Sequence, residues 1–131
     1  MKSSELYSLL GVHLDLAVEA HELLRGEAGR EIPGVQMDEE SFANGKIKTI
    51  TILDEQGEAI MGRPRGSYVT LESGALREND KMIHKEISQV IADKLKQIIP
   101  LQENSTIMIV GLGNWNATPD SLGPKVIETS M

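Results

Sequence analysis

Met108-Ile-Val-Gly-Leu-Gly-Asn-Trp-Asn-Ala-Thr-Pro-Asp-Ser-Leu-Gly-Pro-Lys125 is the stretch whose reading decides the fold. The continuous apolar run Thr106 to Val110 follows a polar spacer, Gln102 to Ser105, and predicts a buried, parallel strand. Gly111 and Gly113 then let the backbone approach whatever lies beyond that strand's carboxyl end. Pro124 lacks an amide hydrogen and clashes with the carbonyl four residues back, so a helix uninterrupted from Pro119 is excluded. The expectation is a loop carrying Asp120 and a helix with Pro124 at its first position. Asp120 would then sit on a loop at a strand's carboxyl end, where open α/β sheets keep their sites.

On residue types alone three readings of the loop stand side by side. A dinucleotide fingerprint needs Gly-x-Gly-x-x-Gly, and position 116 is Asn. A turn or helix-start aspartate is common at such a place. A catalytic carboxylate held above a sheet is the third.

The stretch Gly111 to Lys125 resembles the signature of the spore germination proteases, endopeptidases that degrade small acid-soluble spore proteins. Two further blocks resemble the same family in the same order: Leu14-Asp-Leu-Ala-Val-Glu-Ala20 and Gly66-Ser-Tyr-Val-Thr-Leu-Glu-Ser73. A shorter likeness, Gly-x-Gly-Asn followed by an Asp, extends to the hydrogenase-maturation endopeptidases. The resemblance implies a three-layer α/β/α fold with a mixed, partly parallel sheet, incomplete here at the carboxyl terminus. It implies a self-processing zymogen with residues 1–15 as prosegment, cut between Asp15 and Leu16, and residues 16–131 as the amino-terminal part of one peptidase domain. Asp120 matches one of two essential aspartates of an atypical aspartic-type peptidase; the second is expected further along than Met131. Gly111, Gly113 and Asn114 are placed to orient the substrate backbone. The expected partners are small acid-soluble spore proteins as substrate and further copies of the chain, as a tetramer, in the spore core. No cofactor or metal is expected.

Composition sets the outer bounds. With 131 residues the chain makes one domain at most, and with one Phe, two Tyr and one Trp its core must be aliphatic. Zero cysteines exclude disulfides, thiolate nucleophiles and Cys-based zinc sites. No apolar run is long enough to span a bilayer and no secretory start is present, so a cytoplasmic chain is expected. The net charge of −7 is concentrated in residues 1–40, where three basic side chains face nine acidic ones. Such a chain repels phosphate backbones, which argues against direct nucleic-acid binding.

Other chemistries find little support. Gly-x-Ser-x-Gly and His-Glu-x-x-His are both absent. His13, Glu19, His21 and Glu22 are close enough in sequence to approach a metal, although a helical face often gathers such residues without one. Two alternatives stay open: a metal-sensing endopeptidase of the hydrogenase-maturation type, and an acidic module that recruits a basic partner.

Along the chain, Ser3 or Ser4 can cap a short helix ending at Gly11, and Leu16, Val18, Ala20, Leu23 and Leu24 mark a second ending near Gly26. Gly34 to Met37 and Lys46 to Leu53 read as strands separated by an acidic segment and by Asn44-Gly45, a hairpin signal although the strand before it is poor. Ile47, Ile50 and Ile52 do not alternate, which predicts a bulge or two-sided burial. Asp54 to Gly62 reads as a turn or short helix, and Tyr68 to Leu71 as a strand. Asn79 or Asp80 caps the strongest helix, whose stripe runs Ile83, Ile87, Val90, Ile91, Leu95, Ile98, Ile99 and stops at Pro100. The order strand, helix, strand predicts a right-handed parallel crossover into Thr106 to Val110.

Overall fold

The computed structural model describes residues 16–26, 29 and 31–130. The chain divides into two compact units, Met1–Ile99 and Pro100–Met131. The helix expected near Ser3 and the Asp15 side of the cleavage junction lie outside the described residues.

The first unit is built on a three-stranded sheet in the order β1-β2-β3, with β1 at Val35–Phe42, β2 at Gly45–Ile52 and β3 at Gly66–Glu72. Both pairings are antiparallel and run without a bulge. Met37, Ile50 and Tyr68 stand abreast across the three strands. So do Glu40, Ile47 and Leu71, whose side chains alternate to the opposite face. Two-sided burial therefore accounts for the irregular isoleucine spacing, since Ile47 is buried on one face and Ile50 and Ile52 on the other.

The hairpin forms where Asn44-Gly45 announced it, for a different reason. Phe42 pairs with Gly45, so the two loop residues are Ala43 and Asn44, and neither has positive φ. Gly45 instead opens β2, where a Cβ would come within 2.3 Å of the Glu72 carbonyl oxygen and 2.8 Å of the Phe42 ring. Close approach, not turn conformation, requires the glycine.

Helices cover the sheet. The first, α1 at Ala17–Arg25, buries Ala17, Val18, Ala20 and His21, spaced so as to share one side of a helix. The second, α2 at Glu55–Met61, is capped by Asp54, whose carboxylate accepts from the Gly57 amide at 2.9 Å. Together with Ile32 they close the main core over Ile50, Ile52 and Met61. The long helix α3, Lys81–Ile98, follows a 3-10 turn at Gly74–Arg77 and is capped by Asp80, which accepts from Met82 and Ile83. It faces the other side of the sheet, where Ile91, Leu95 and Ile98 enclose an apolar gap of about 190 Å³ with Ile47, Val69 and Leu71. Lys94 anchors it to Glu40 of β1 at 2.5 Å.

The second unit contains a 3-10 turn at Thr118–Asp120 and helix α4 at Leu122–Ser130. It corrects two expectations. Thr106 to Val110 is not a strand: Ile107, Met108, Ile109 and Val110 are between 61% and 85% exposed. A parallel strand needs hydrogen-bonding neighbours and cover on both faces. Nothing else in this unit is a strand, so the run's hydrophobicity goes unmet and no parallel sheet forms among the described residues. The α/β mixture holds; its sheet is antiparallel. Likewise α4 starts two residues before Pro124. The first amides of a helix have no intrahelical partner, so a proline in the first turn costs nothing there.

Replacing Ile50, which is 0% exposed, with alanine should lower the unfolding free energy by about 2–5 kcal/mol. Met82→Ala, at a side chain 76% exposed, should stay within about 0.5 kcal/mol. Urea denaturation of the two variants checks both, and equal effects would contradict this placement of the core.

Candidate functional site

The loop from Gly111 to Gly123 closes on itself through backbone contacts that only glycine allows. At Gly113, φ is +143° and a Cβ would lie 2.1 Å from the Asp120 carbonyl oxygen. At Gly111 it would lie 2.3 Å from the Gly123 carbonyl oxygen, and at Gly123 it would lie 2.1 Å from that of Leu112. The two ends of the loop therefore touch, main chain to main chain.

Hydrogen bonds complete the closure. The Asn114 amide donates to the Asp120 carbonyl at 2.8 Å, the Asp120 amide to Ala117 at 2.8 Å, and the Ala117 amide to Asn114 at 3.1 Å. Asn114 Oδ1 also accepts from the Asn116 amide at 3.0 Å, an Asx turn. Ser121, 2% exposed, donates from its hydroxyl to Thr118 at 3.1 Å. The loop thus fixes the main chain on both sides of Asp120.

Asp120 itself is exposed, at the end of the 3-10 turn. Among the described residues no hydrogen bond or ion pair engages its carboxylate. The expected seat above the carboxyl end of a parallel strand is not formed, because that strand is not formed. Gly111, Gly113 and Asn114 do gather at the same loop, and Asn114 is engaged through its backbone amide, carbonyl and Oδ1. The role of Gly123 has no mark in the sequence: its φ is ordinary, and only the close approach of Leu112 reveals it.

A second polar cluster joins α1 to the sheet. Lys48, on the central strand and 9% exposed, holds Glu22 of α1 at 2.6 Å and Glu72 of β3 at 3.5 Å; Lys46 reaches Glu72 at 3.3 Å. The hydrogen bond to Glu22 raises the Lys48 pKa above the ordinary lysine value and lowers that of Glu22. Beside Glu22, His21 is 4% exposed and its Nδ1 has no hydrogen-bond partner. Burial, and then the Arg25 charge, lower its pKa below the usual histidine value. No group of three or more His, Asp or Glu side chains among the described residues is arranged to hold an ion. His13 lies outside the described residues.

A family model described as germination protease matches residues 15–131, which include both clusters and the whole glycine loop. The chain belongs to the germination protease family. It is 44% identical over 120 residues to the germination protease of Caldanaerobacter subterraneus subsp. tengcongensis, covering 92% of this chain. It is 41% identical over 122 residues to that of Clostridium tetani, covering 93%. With the Bacillus subtilis germination protease it shares 36% identity over 138 aligned positions, covering 100%. The chain spans only 36%, 38% and 37% of the length of these three relatives, respectively. In this family member the loop carrying Asp120 is therefore described together with about a third of a full-length relative.

These geometries lead to two expected outcomes. Gly113→Ala should open the loop, raising hydrogen exchange of the Asn114 and Asp120 amides at least about tenfold; unchanged protection would mean the closure does not rest on this glycine. Because His21 is harder to protonate folded than unfolded, folding weakens as pH falls through the ordinary value of 6.5. Arg25 opposes that protonation and Glu22 favours it, with burial the larger cause. The thermal midpoint should drop from pH about 7.5 to about 5.5, and His21→Leu should flatten the drop.

Proposed function

We propose that this chain is part of an endopeptidase that begins the degradation of small acid-soluble spore proteins in the spore core during germination. The observation that carries the reading is the family match over residues 15–131, with Asp120 inside the matched glycine loop. In this reading the protein is made as a zymogen, and removal of residues 1–15 by a cut between Asp15 and Leu16 yields the active form. Leu16, at 45% exposed, is open to a protease. The active protein is a tetramer of identical chains.

The chemistry is hydrolysis through a carboxylate-held water. Asp120 takes a proton from the water as it attacks the scissile carbonyl, and a second acid group, supplied from outside the described residues, protonates or polarises the carbonyl side. The main chain of Asp120 is held at both its amide and its carbonyl, so the carboxylate swings from a fixed point. Gly111, Gly113 and Asn114 line the same bend and orient the substrate backbone. In a chain of the relatives' length, Thr106 to Val110 becomes a buried strand of a three-layer α/β/α fold with a mixed sheet. That is the state in which its apolar side chains are covered.

Asp120→Asn in a protein spanning the full length of its relatives should reduce cleavage of spore proteins by at least about a thousandfold. It should also stop removal of residues 1–15, while leaving the thermal midpoint close to that of the parent. Gel analysis of both cleavages over time reads the outcome; a variant that still processes itself would move the catalytic role to another residue.

A further inference from the structure

The first unit contains a cavity that the glycine loop does not explain. It measures about 380 Å³, within the range of roughly 300–1,000 Å³ typical of small-molecule sites. That is far more than one water needs. It opens between α1 and the beginning of β1, in the unit whose core is already closed by Ile50, Ile52 and Met61.

Its lining includes Gln36, whose side-chain amide already donates to Asp38 at 3.0 Å, and three further kinds of chemistry. Arg25 supplies a guanidinium, always charged and suited to a carboxylate. Glu31 supplies a carboxylate. Ile32, Val35 and Met37 supply an apolar wall. His21 also lines the cavity, with its Nδ1 enclosed and out of a ligand's reach.

These features select among ligands. A simple anion would satisfy Arg25 and be repelled by Glu31; a simple cation meets the reverse problem. An apolar molecule would engage neither Arg25 nor Glu31. A zwitterion with a hydrophobic side chain satisfies all of them at once. We propose that this cavity binds a free amino acid with an apolar side chain, its carboxylate on Arg25, its ammonium on Glu31 and its side chain against Ile32, Val35 and Met37. The inference does not rest on the peptidase reading, because Asp120 takes no part in it.

Titration calorimetry of this 131-residue chain with L-leucine tests it, supported by nitrogen NMR of the His21 ring. L-leucine should bind with a Kd of about 1 mM or tighter and shift the ring resonances of His21, which lines the cavity. L-leucinamide, which lacks the carboxylate, and 4-methylpentanoate, which lacks the ammonium, should each bind at least about tenfold more weakly. So should glycine. Arg25→Gln and Glu31→Gln, both at exposed residues whose folding circular dichroism can verify, should each weaken leucine at least about tenfold. No heat and no ring shift would mean the cavity holds water only, which overturns the proposal. 4-Methylpentanoate binding as tightly as leucine would remove Glu31 from the site and overturn the zwitterion assignment. Leucine binding untouched by either substitution would place it elsewhere, with the same result.

Discussion

Strand β2 is the constraint on which the first unit depends. It is hydrogen-bonded along both edges, to β1 and to β3, and it contributes buried side chains to both faces. An inner strand of this kind tolerates no register slip, because one residue of movement would exchange Ile47 with Lys48. The lysine makes the constraint stricter. It projects from the same face as Ile50 and Ile52, and a buried ammonium is tolerated only when paired. Glu22 and Glu72 supply the pairs. Since Glu22 must stand over Lys48, the rotation of α1 about its axis is set, and with it the inward direction of the adjacent His21. One charge on the sheet thus determines which side of the helix meets the cavity.

How much of this could be read from the chain depended on whether the signal was local. Helix α3 was legible from end to end: Asp80 caps it, its stripe repeats at three and four, and Pro100 comes directly after its last turn. The β1–β2 hairpin was legible in position, and Gly45 was its marker even though packing, rather than turn conformation, requires it. The burial of Lys48 and of His21 was not legible, for a common reason. Each belongs to a residue type usually outside or half-outside a core, and the contact that draws both inward joins Lys48 to Glu22, 26 residues away in the chain. Gly123 gave no sign because ordinary backbone angles carry no trace of a neighbour's approach.

Thr106 to Val110 failed differently. An apolar run states that a segment is stabilised by burial, and says nothing about whether neighbours are present to bury it. The stripe of α3 makes the same point less sharply: Ile91, Leu95 and Ile98 meet the sheet yet are each more than 40% exposed. Composition reports a demand for contact; the contact itself is a property of the rest of the fold. The role proposed for Asp120 likewise comes from resemblance to a family, since spacing alone favours a turn or helix-start aspartate.

The local closure of the bend has a consequence for how such a site would be assembled. The main-chain contacts and hydrogen bonds that close the bend around Asp120 come from residues 111–123. The backbone position of the carboxylate is therefore built locally, at the cost of ordering about a dozen residues. What the local structure does not supply is low-dielectric surroundings or a second acid, and both are needed before two carboxyl groups can hold different protonation states. Under the proposed function Asp120 would act only together with a second acid group and in drier surroundings than the bend provides, so the bend has only to present its carboxylate at the right place.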